Sequence, residues 1–358
     1  MRVLFLQQQP CVRALKYAVA LRSALPGIQL GFAYQGKTLS AWYGSGDELF
    51  ERWWDLGSEP LKRLRQVGEE FRPDLIHSHN LPDSLTVIAL KLFAGRVPVV
   101  HDVHDLQSLR RTPYEHGFPE PVEALALEQL AIEGCSALVT VSNELLEEIR
   151  SRYQPTAPTL VFPNYALRRD LPQVLPPGQR RNGRPPRLVY QGTLSTNGGH
   201  YDLRAIFRSI VSEGVSLDVY PSRAVPAYAE LAVELDGLRV HRTLPPSRLL
   251  AALTGYDFGW AGFNSALNGA HLDTCLPNKA YEYIGCGLPI LTLRHRALTR
   301  LVGDGQLGLS LVTLDDLRAQ LAAADVAAMR SCIADARRKL TVEANIHRLA
   351  ALYSAAAG

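Results

Sequence analysis

Cysteine is sparse in this 358-residue chain, long apolar runs are missing, and the charges nearly cancel. The five cysteines, Cys11, Cys135, Cys275, Cys286 and Cys332, are odd in number and scattered, and no Cys-x-x-Cys occurs. That pattern argues against a disulfide framework or a zinc site and suits a reducing compartment, so a cytoplasmic location is expected. No stretch of about 18 uninterrupted apolar residues exists, which argues against a membrane-spanning helix. The opening run Met1-Arg2-Val3-Leu4-Phe5-Leu6 breaks at Gln7. It is too short for a signal segment and reads as a first core strand. Lys plus Arg is 38 against 35 for Asp plus Glu, a net charge of +3 that calls for no nucleic-acid partner.

What the chain does have is ample apolar material, 47% of residues, in a regular rhythm. At roughly 150 residues per domain, two domains are expected. Short β-branched runs at Val3–Leu6, Gln29–Ala33, Leu75–His77, Val97–His101, Ala137–Val141 and Thr159–Val161 alternate with helical patterns such as Arg13–Ala24, Leu61–Phe71, Leu85–Phe93, Pro121–Gly134 and Asn143–Arg150. The rhythm resumes with strand runs at Arg187–Gln191, Ser216–Tyr220, Leu238–His241, Phe258–Ala261, Ile290–Leu293 and Gly308–Leu311. Alternation of this kind predicts α/β domains with parallel sheets covered on both faces. Ser142 is placed to cap the helix that starts at Asn143. Between the halves the chain turns Pro-, Gly- and Arg-rich. The expected organisation is therefore a first domain 1–168, a linker 169–186, a second domain 187–340, and a final helix in 341–358 that crosses back to the first domain.

The segment Leu276-Pro277-Asn278-Lys279-Ala280-Tyr281-Glu282-Tyr283 is the most informative. Pro277 suits the first position of a helix. Lys279 then lies in the first turn, where a cation opposes the helix dipole, so a phosphate held at the helix N-terminus is the expected partner. Glu282 stands one turn on, where a carboxylate can accept both hydroxyls of a ribose; a plain Lys–Glu surface pair is the alternative. Gly303-Asp304-Gly305-Gln306-Leu307-Gly308 satisfies G-x-G-x-x-G, but it follows a helical stretch and precedes a strand, the reverse of a dinucleotide fingerprint, and reads as a turn. Phe50, Trp53, Trp54 and Leu56 read most simply as core, with an acceptor pocket or a membrane surface as alternatives. His101, Asp102, His104 and Asp105 have ligand types for a metal but no metal-binding motif, so no metal is expected.

The Leu276–Tyr283 segment resembles the donor-site motif of GT-B glycosyltransferases of the family 4 type, in the bacterial branch with Leu-Pro-x-Lys-x-x-Glu-Tyr. Other blocks are similar in the same order: Pro73–Asn80, Val99–Leu106, Val139–Glu144, Val161–Asn164 and Leu188–Thr193. The resemblance implies two Rossmann-like domains facing a cleft and a metal-independent, retaining transfer of a sugar from a nucleotide-sugar, with a UDP-sugar favoured. The acceptor would be a small molecule, glycan, lipid-linked species or peptide, with no cofactor and, at most, peripheral membrane contact. By the same resemblance His104, flanked by Asp102 and Asp105, faces the reacting sugar, and Glu282 binds the ribose. Lys279, Asn278, Pro277, Leu276, Tyr281, Gly192 and Thr193 line the donor side, and His79 and Asn80 the acceptor side. Two positions depart from the pattern. Thr274 stands where the wider family has a second Glu, and the loop Gly192–His200 lacks the usual Arg and Lys. The diphosphate is therefore expected to rest on backbone N–H groups, Lys279, and His200 or Arg204. A nucleotide-sugar epimerase or hydrolase of the same fold, and a non-catalytic relative, are the alternative readings.

Overall fold

The computed structural model describes residues 1–110, 121–173, 175, 186–303 and 306–358. They form two compact units, Met1–Pro163 with Val342–Gly358, and Asn164–Thr341. Among the described residues no helix is long and apolar enough to cross a membrane.

The first unit is built on seven strands: β1 (Arg2–Gln7), β2 (Gln29–Tyr34), β3 (Arg52–Asp55), β4 (Leu75–His79), β5 (Val99–Val103), β6 (Ala137–Thr140) and β7 (Thr159–Val161). They lie in the order β3-β2-β1-β4-β5-β6-β7, and every pairing is parallel. The central strands β1, β4 and β5 are almost wholly buried, as a sheet with helices on both faces requires. The aromatic run at Phe50–Leu56 is core: Phe50, Trp54 and Leu56 are buried, and Trp53 stacks on Phe32 at 4.7 Å. It contains β3, an edge strand that the sequence pattern does not reveal. Ser142 caps its helix, its hydroxyl accepting from the Leu145 N–H at 3.0 Å. The helix Val342–Ala357 belongs to this unit and packs on the helix Val12–Ala24.

The second unit has six strands: β8 (Arg187–Gly192), β9 (Ser216–Pro221), β10 (Leu238–Val240), β11 (Phe258–Trp260), β12 (Ile290–Leu293) and β13 (Gly308–Leu311). Their order is β10-β9-β8-β11-β12-β13, again all parallel. The strand order reverses at β8, so the loop after β8 opens at a switch point, where open α/β sheets bind ligands. Most of the Pro- and Arg-rich segment, residue 174 and residues 176–185, lies outside the described residues, as do Asp304 and Gly305 of the G-x-G-x-x-G match.

The last glycine of that match has a packing reason. Gly308 opens β13 opposite Ile290 with φ +153°, and a Cβ there would fall 1.9 Å from the Ile290 carbonyl oxygen. Rigid backbone cannot yield as a flexible side chain would. Gly308→Ala is therefore expected to cost about 3 kcal/mol, from overpacking and backbone strain together. A urea titration should show a lower midpoint at unchanged slope.

Candidate functional site

Two clusters of chemistry-bearing side chains stand at carboxyl ends of strands, one in each unit. In the first unit the organising group is Asp102, fully buried on β5. Register sets it beside His79 of β4. Residues two apart on a strand share a face, so His77 joins His79, their rings stacked 4.6 Å apart. Both are buried. Asp102 Oδ2 accepts from Arg13 Nε at 3.0 Å and Tyr17 Oη at 3.0 Å, and lies 3.2 Å from His77 Nε2. Arg13 also donates to the Phe162 carbonyl at 2.7 Å. On its far side His77 Nδ1 meets the Tyr353 hydroxyl at 2.5 Å.

His104, just past β5, is the partly exposed end of this chain. Its Nε2 lies 3.1 Å from His79 Nδ1 and 3.5 Å from Asp102 Oδ1. Its backbone N–H donates to Asn80 Oδ1 at 3.0 Å, and Asn80 Nδ2 donates to the Asp105 carbonyl at 2.5 Å. Asn80 thus staples the loop that presents His104. Burial would raise the Asp102 carboxyl, but Arg13, with the surrounding histidines, holds it well below the usual carboxylate range. Burial lowers His104 to about 4 despite the nearby Asp102, so its imidazole is neutral at physiological pH. A neutral ring can donate or accept one hydrogen bond but brings no net charge, which narrows the charge-stabilising role expected of it.

In the second unit the helix Asn278–Gly285 follows Pro277, which takes the N-cap position, one residue before the place the sequence suggests. Tyr283 fastens this helix to the sheet. Its hydroxyl accepts from the Gln191 N–H at 3.1 Å and donates toward the Trp260 carbonyl at 3.2 Å. Its ring lies so close over Gly259 that a Cβ there would come within 2.4 Å. Lys279 is buried, 6% exposed. Its ammonium sits 4.1 Å above the Tyr190 ring, 5.6 Å from that of Phe263 and 5.7 Å from that of Tyr201, and donates to Tyr190 Oη at 3.0 Å. Tyr190 in turn donates to the Thr193 carbonyl at 2.5 Å. Burial lowers Lys279 to about 7, with only the Coulombic pull of Glu282 opposing it. Gly192, φ +129°, brings the loop after β8 to the amine; a Cβ there would lie 3.5 Å from Lys279 Nζ. Glu282 is half-buried and accepts from Gln191 Nε2 through one oxygen, Oε2.

The expected residues thus separate by depth. His104 and Asp105 are partly exposed, whereas Asp102, His79 and Asn80 are buried. In the second unit Glu282, Asn278, Pro277, Gly192, Thr193 and His200 reach the surface to some extent, while Leu276 and Tyr281 are buried. The Leu276 carbonyl accepts from Asn164 Nδ2 at 2.8 Å, and Tyr281 packs edge-on against Tyr165. Arg204 is committed elsewhere: its guanidinium is held by Asp202 at 2.7 and 2.9 Å, so its charge is already countered. Glu282 and Lys279 form no ion pair; the lysine turns under the aromatic rings instead. His101 faces Asp83 and Thr86 on the opposite side of β5, away from Asp102. Sequence reasoning missed Arg13, Tyr17, His77, Tyr353, Tyr190 and Gln191. A signal existed for Arg13, a charge on the inward face of an otherwise amphipathic helix.

Residues 43–165 match the family model described as Glycosyltransferase Family 4, a span that includes β4, β5 and His104 and ends well before the helix Asn278–Gly285. No curated protein matches the chain. Solved structures do. Sucrose-phosphate synthase from Thermosynechococcus elongatus is 13% identical, with 99% of this chain and 98% of that one covered and a TM-score of 0.70. HepE from Anabaena, solved with UDP-glucose, is 14% identical, with 99% and 100% covered and a TM-score of 0.71. The lipopolysaccharide outer core galactosyltransferase WaaB is 12% identical, with 99% of each chain covered and a TM-score of 0.67. At these identities the likeness establishes the fold, which is GT-B. With the family match it supports a glycosyltransferase.

The Asp102 network makes stability pH-dependent. Unfolded histidine titrates near 6.5, whereas His104 resists protonation until about pH 4. Between these values the unfolded chain binds the proton and the native one does not, so stability falls as pH drops from about 7 to 4. His104 contributes at most on the order of 3 kcal/mol to this loss, and His77 and His79, also lowered by burial, add to it. Urea midpoints measured between pH 7 and 4 test this; a flat profile contradicts it. Asp102→Asn, which leaves Arg13 buried without its counter-charge, is expected to cost about 3–5 kcal/mol at pH 7.

Proposed function

We propose that this protein is a glycosyltransferase that moves a sugar from a nucleotide-sugar, with UDP-sugars favoured, to an acceptor. The observation that carries the reading is Lys279: a buried amine under aromatic rings, without an acidic partner in contact, beside the glycine loop after β8. A lysine so placed is destabilised until an anion arrives. A diphosphate at the N-terminus of the helix Asn278–Gly285 supplies that anion and gains the helix dipole as well. Glu282 keeps Oε1 clear of Gln191 and can accept from ribose hydroxyls, as the resemblance implies. Similarity to HepE, solved with UDP-glucose, supports a uridine donor.

On the first unit His104 stands at the acceptor side. Its neutral imidazole positions the reacting sugar through one hydrogen bond, and Asp102 fixes its orientation from behind. Charge on the departing diphosphate is met by Lys279 and backbone N–H groups, so the transfer needs no metal. Retention at the anomeric carbon follows the family resemblance. The acceptor is a sugar or a molecule that carries one, and transfer takes place in the cytoplasm.

Lys279 gives the reading a pH signature. Above about pH 7 the free protein loses the Lys279 proton, and binding a diphosphate must restore it. Donor affinity is therefore expected to fall about tenfold per pH unit above that value, measured by calorimetry with UDP between pH 7 and 9. Lys279→Met should abolish UDP binding yet stabilise the unliganded protein by about 1–3 kcal/mol, because a buried charge is replaced by an apolar group. A thermal-shift screen of nucleoside diphosphates tests the class directly: a ligand at about 100 times its Kd should stabilise by roughly 3 kcal/mol. If none shifts the melting temperature, the transferase reading fails. Glu282→Ala should weaken donor binding without unfolding the protein.

A further inference from the structure

We propose that Cys11, His79 and His104 form a binding site for a thiophilic divalent cation, zinc by its chemistry, with Asp102 at hand as a further ligand. One ligand atom from each of the three lies within 4.8 Å of those of the other two. His79 Nδ1 and His104 Nε2 are 3.1 Å apart. Two nitrogens about 2.05 Å from one tetrahedral zinc stand ~3.3 Å apart, so the pair is close to the required spacing before any ion enters.

The surroundings point the same way. Asp102 Oδ1 is completely buried and has no hydrogen-bond partner, yet it lies 3.5 Å from His104 Nε2. A buried carboxylate oxygen left unpaired is costly, and beside it lies His104 Nε2, one of the two nitrogens that would hold the cation. This oxygen approaches the metal-facing Nε2 itself, not the outer ring nitrogen, so it is placed to complete the donor set as a direct ligand. His79 is held in place, stacked on His77 at 4.6 Å and near the Phe5 ring at 5.8 Å. Cys11 closes the set. It occupies the N-cap of the helix Val12–Ala24, where Ser, Thr, Asp or Asn is favoured, and makes no side-chain capping bond. The donor set is one thiolate and two imidazoles, with a further position left to Asp102 or solvent, and it selects zinc over magnesium or calcium. Spacing alone argues against a zinc site. The fold brings Cys11 to residues 68 and 93 positions further on, a conjunction that spacing cannot show.

Because His104 is a ligand, occupancy takes it away from the role proposed above; that consequence rests on the transferase reading, but the site does not. The test uses the full chain, stripped with a chelator and titrated with Co²⁺ as an optical probe. The expected result is a thiolate-to-cobalt absorption band that saturates at one equivalent and is bleached by Zn²⁺. Cys11→Ser should lose the band while its circular dichroism is unchanged, and His104→Ala should weaken Co²⁺ binding by at least about tenfold. A measurement that needs no variant runs in parallel: Zn²⁺ should slow alkylation of Cys11 about tenfold or more and leave exposed Cys332 unaffected. Absence of the band, its persistence in Cys11→Ser, or unchanged alkylation of Cys11 overturns the proposal. Transfer assays with and without Zn²⁺ then report on His104 separately.

Discussion

The first unit depends on one buried ion pair. Arg13 and Asp102 come from elements 89 positions apart and meet where neither is exposed to solvent. Neither charge is tolerable there alone, so each fixes the place of the other. Everything polar nearby is arranged around this pair. Tyr17 and His77 share the oxygen that Arg13 uses, Tyr353 closes the far side, and His104 stands over the remaining oxygen. The one ring of the cluster that reaches the surface is thus held by a scaffold of buried, hydrogen-bonded side chains. Such a scaffold preorganises a side chain better than a loop can.

The second unit solves a different problem. Its central cation has aromatic faces for company instead of a carboxylate. Ring quadrupoles attract an ammonium, but less strongly than a counter-ion does. On the donor-site reading proposed above, the unliganded site stores unfavourable energy that a bound diphosphate would relieve. The two units place their charges by opposite means: one neutralises a buried arginine permanently, the other leaves a lysine waiting.

Much of the fold was legible because a parallel sheet buries its strands on both faces, and β-branched runs betray it. Thr159–Val161 and Ile290–Leu293 were readable to the residue. The ends of β4 and β5 were not, since His79 and Asp102 are polar and look like loop. They continue the strands because Arg13 and Tyr17 satisfy Asp102 and His104 meets His79, and no local pattern shows partners so distant. β3 was hidden for another reason: two tryptophans between charges, Arg52 to Asp55, lack the alternation of a strand, and pairing to β2 alone makes them one. At the site, His104, Glu282 and Lys279 could be picked out by type and position. Their depths could not, because the rings that bury Lys279 arrive from Tyr190, Tyr201 and Phe263.

The helix Val342–Ala357 has a consequence for the order in which the protein can be made. Its Tyr353 bonds His77, yet the whole of Asn164–Thr341 is synthesised between them. Domains tend to fold in the order they emerge. Here the unit that begins first must wait, its hydroxyl partner for His77 missing, until the later unit has been translated in full. The intermediate chain would carry a finished second unit and a first unit with a buried histidine still open on one side. A chaperone or a protease meeting the nascent protein would find its weakest point at the very sheet that holds Asp102.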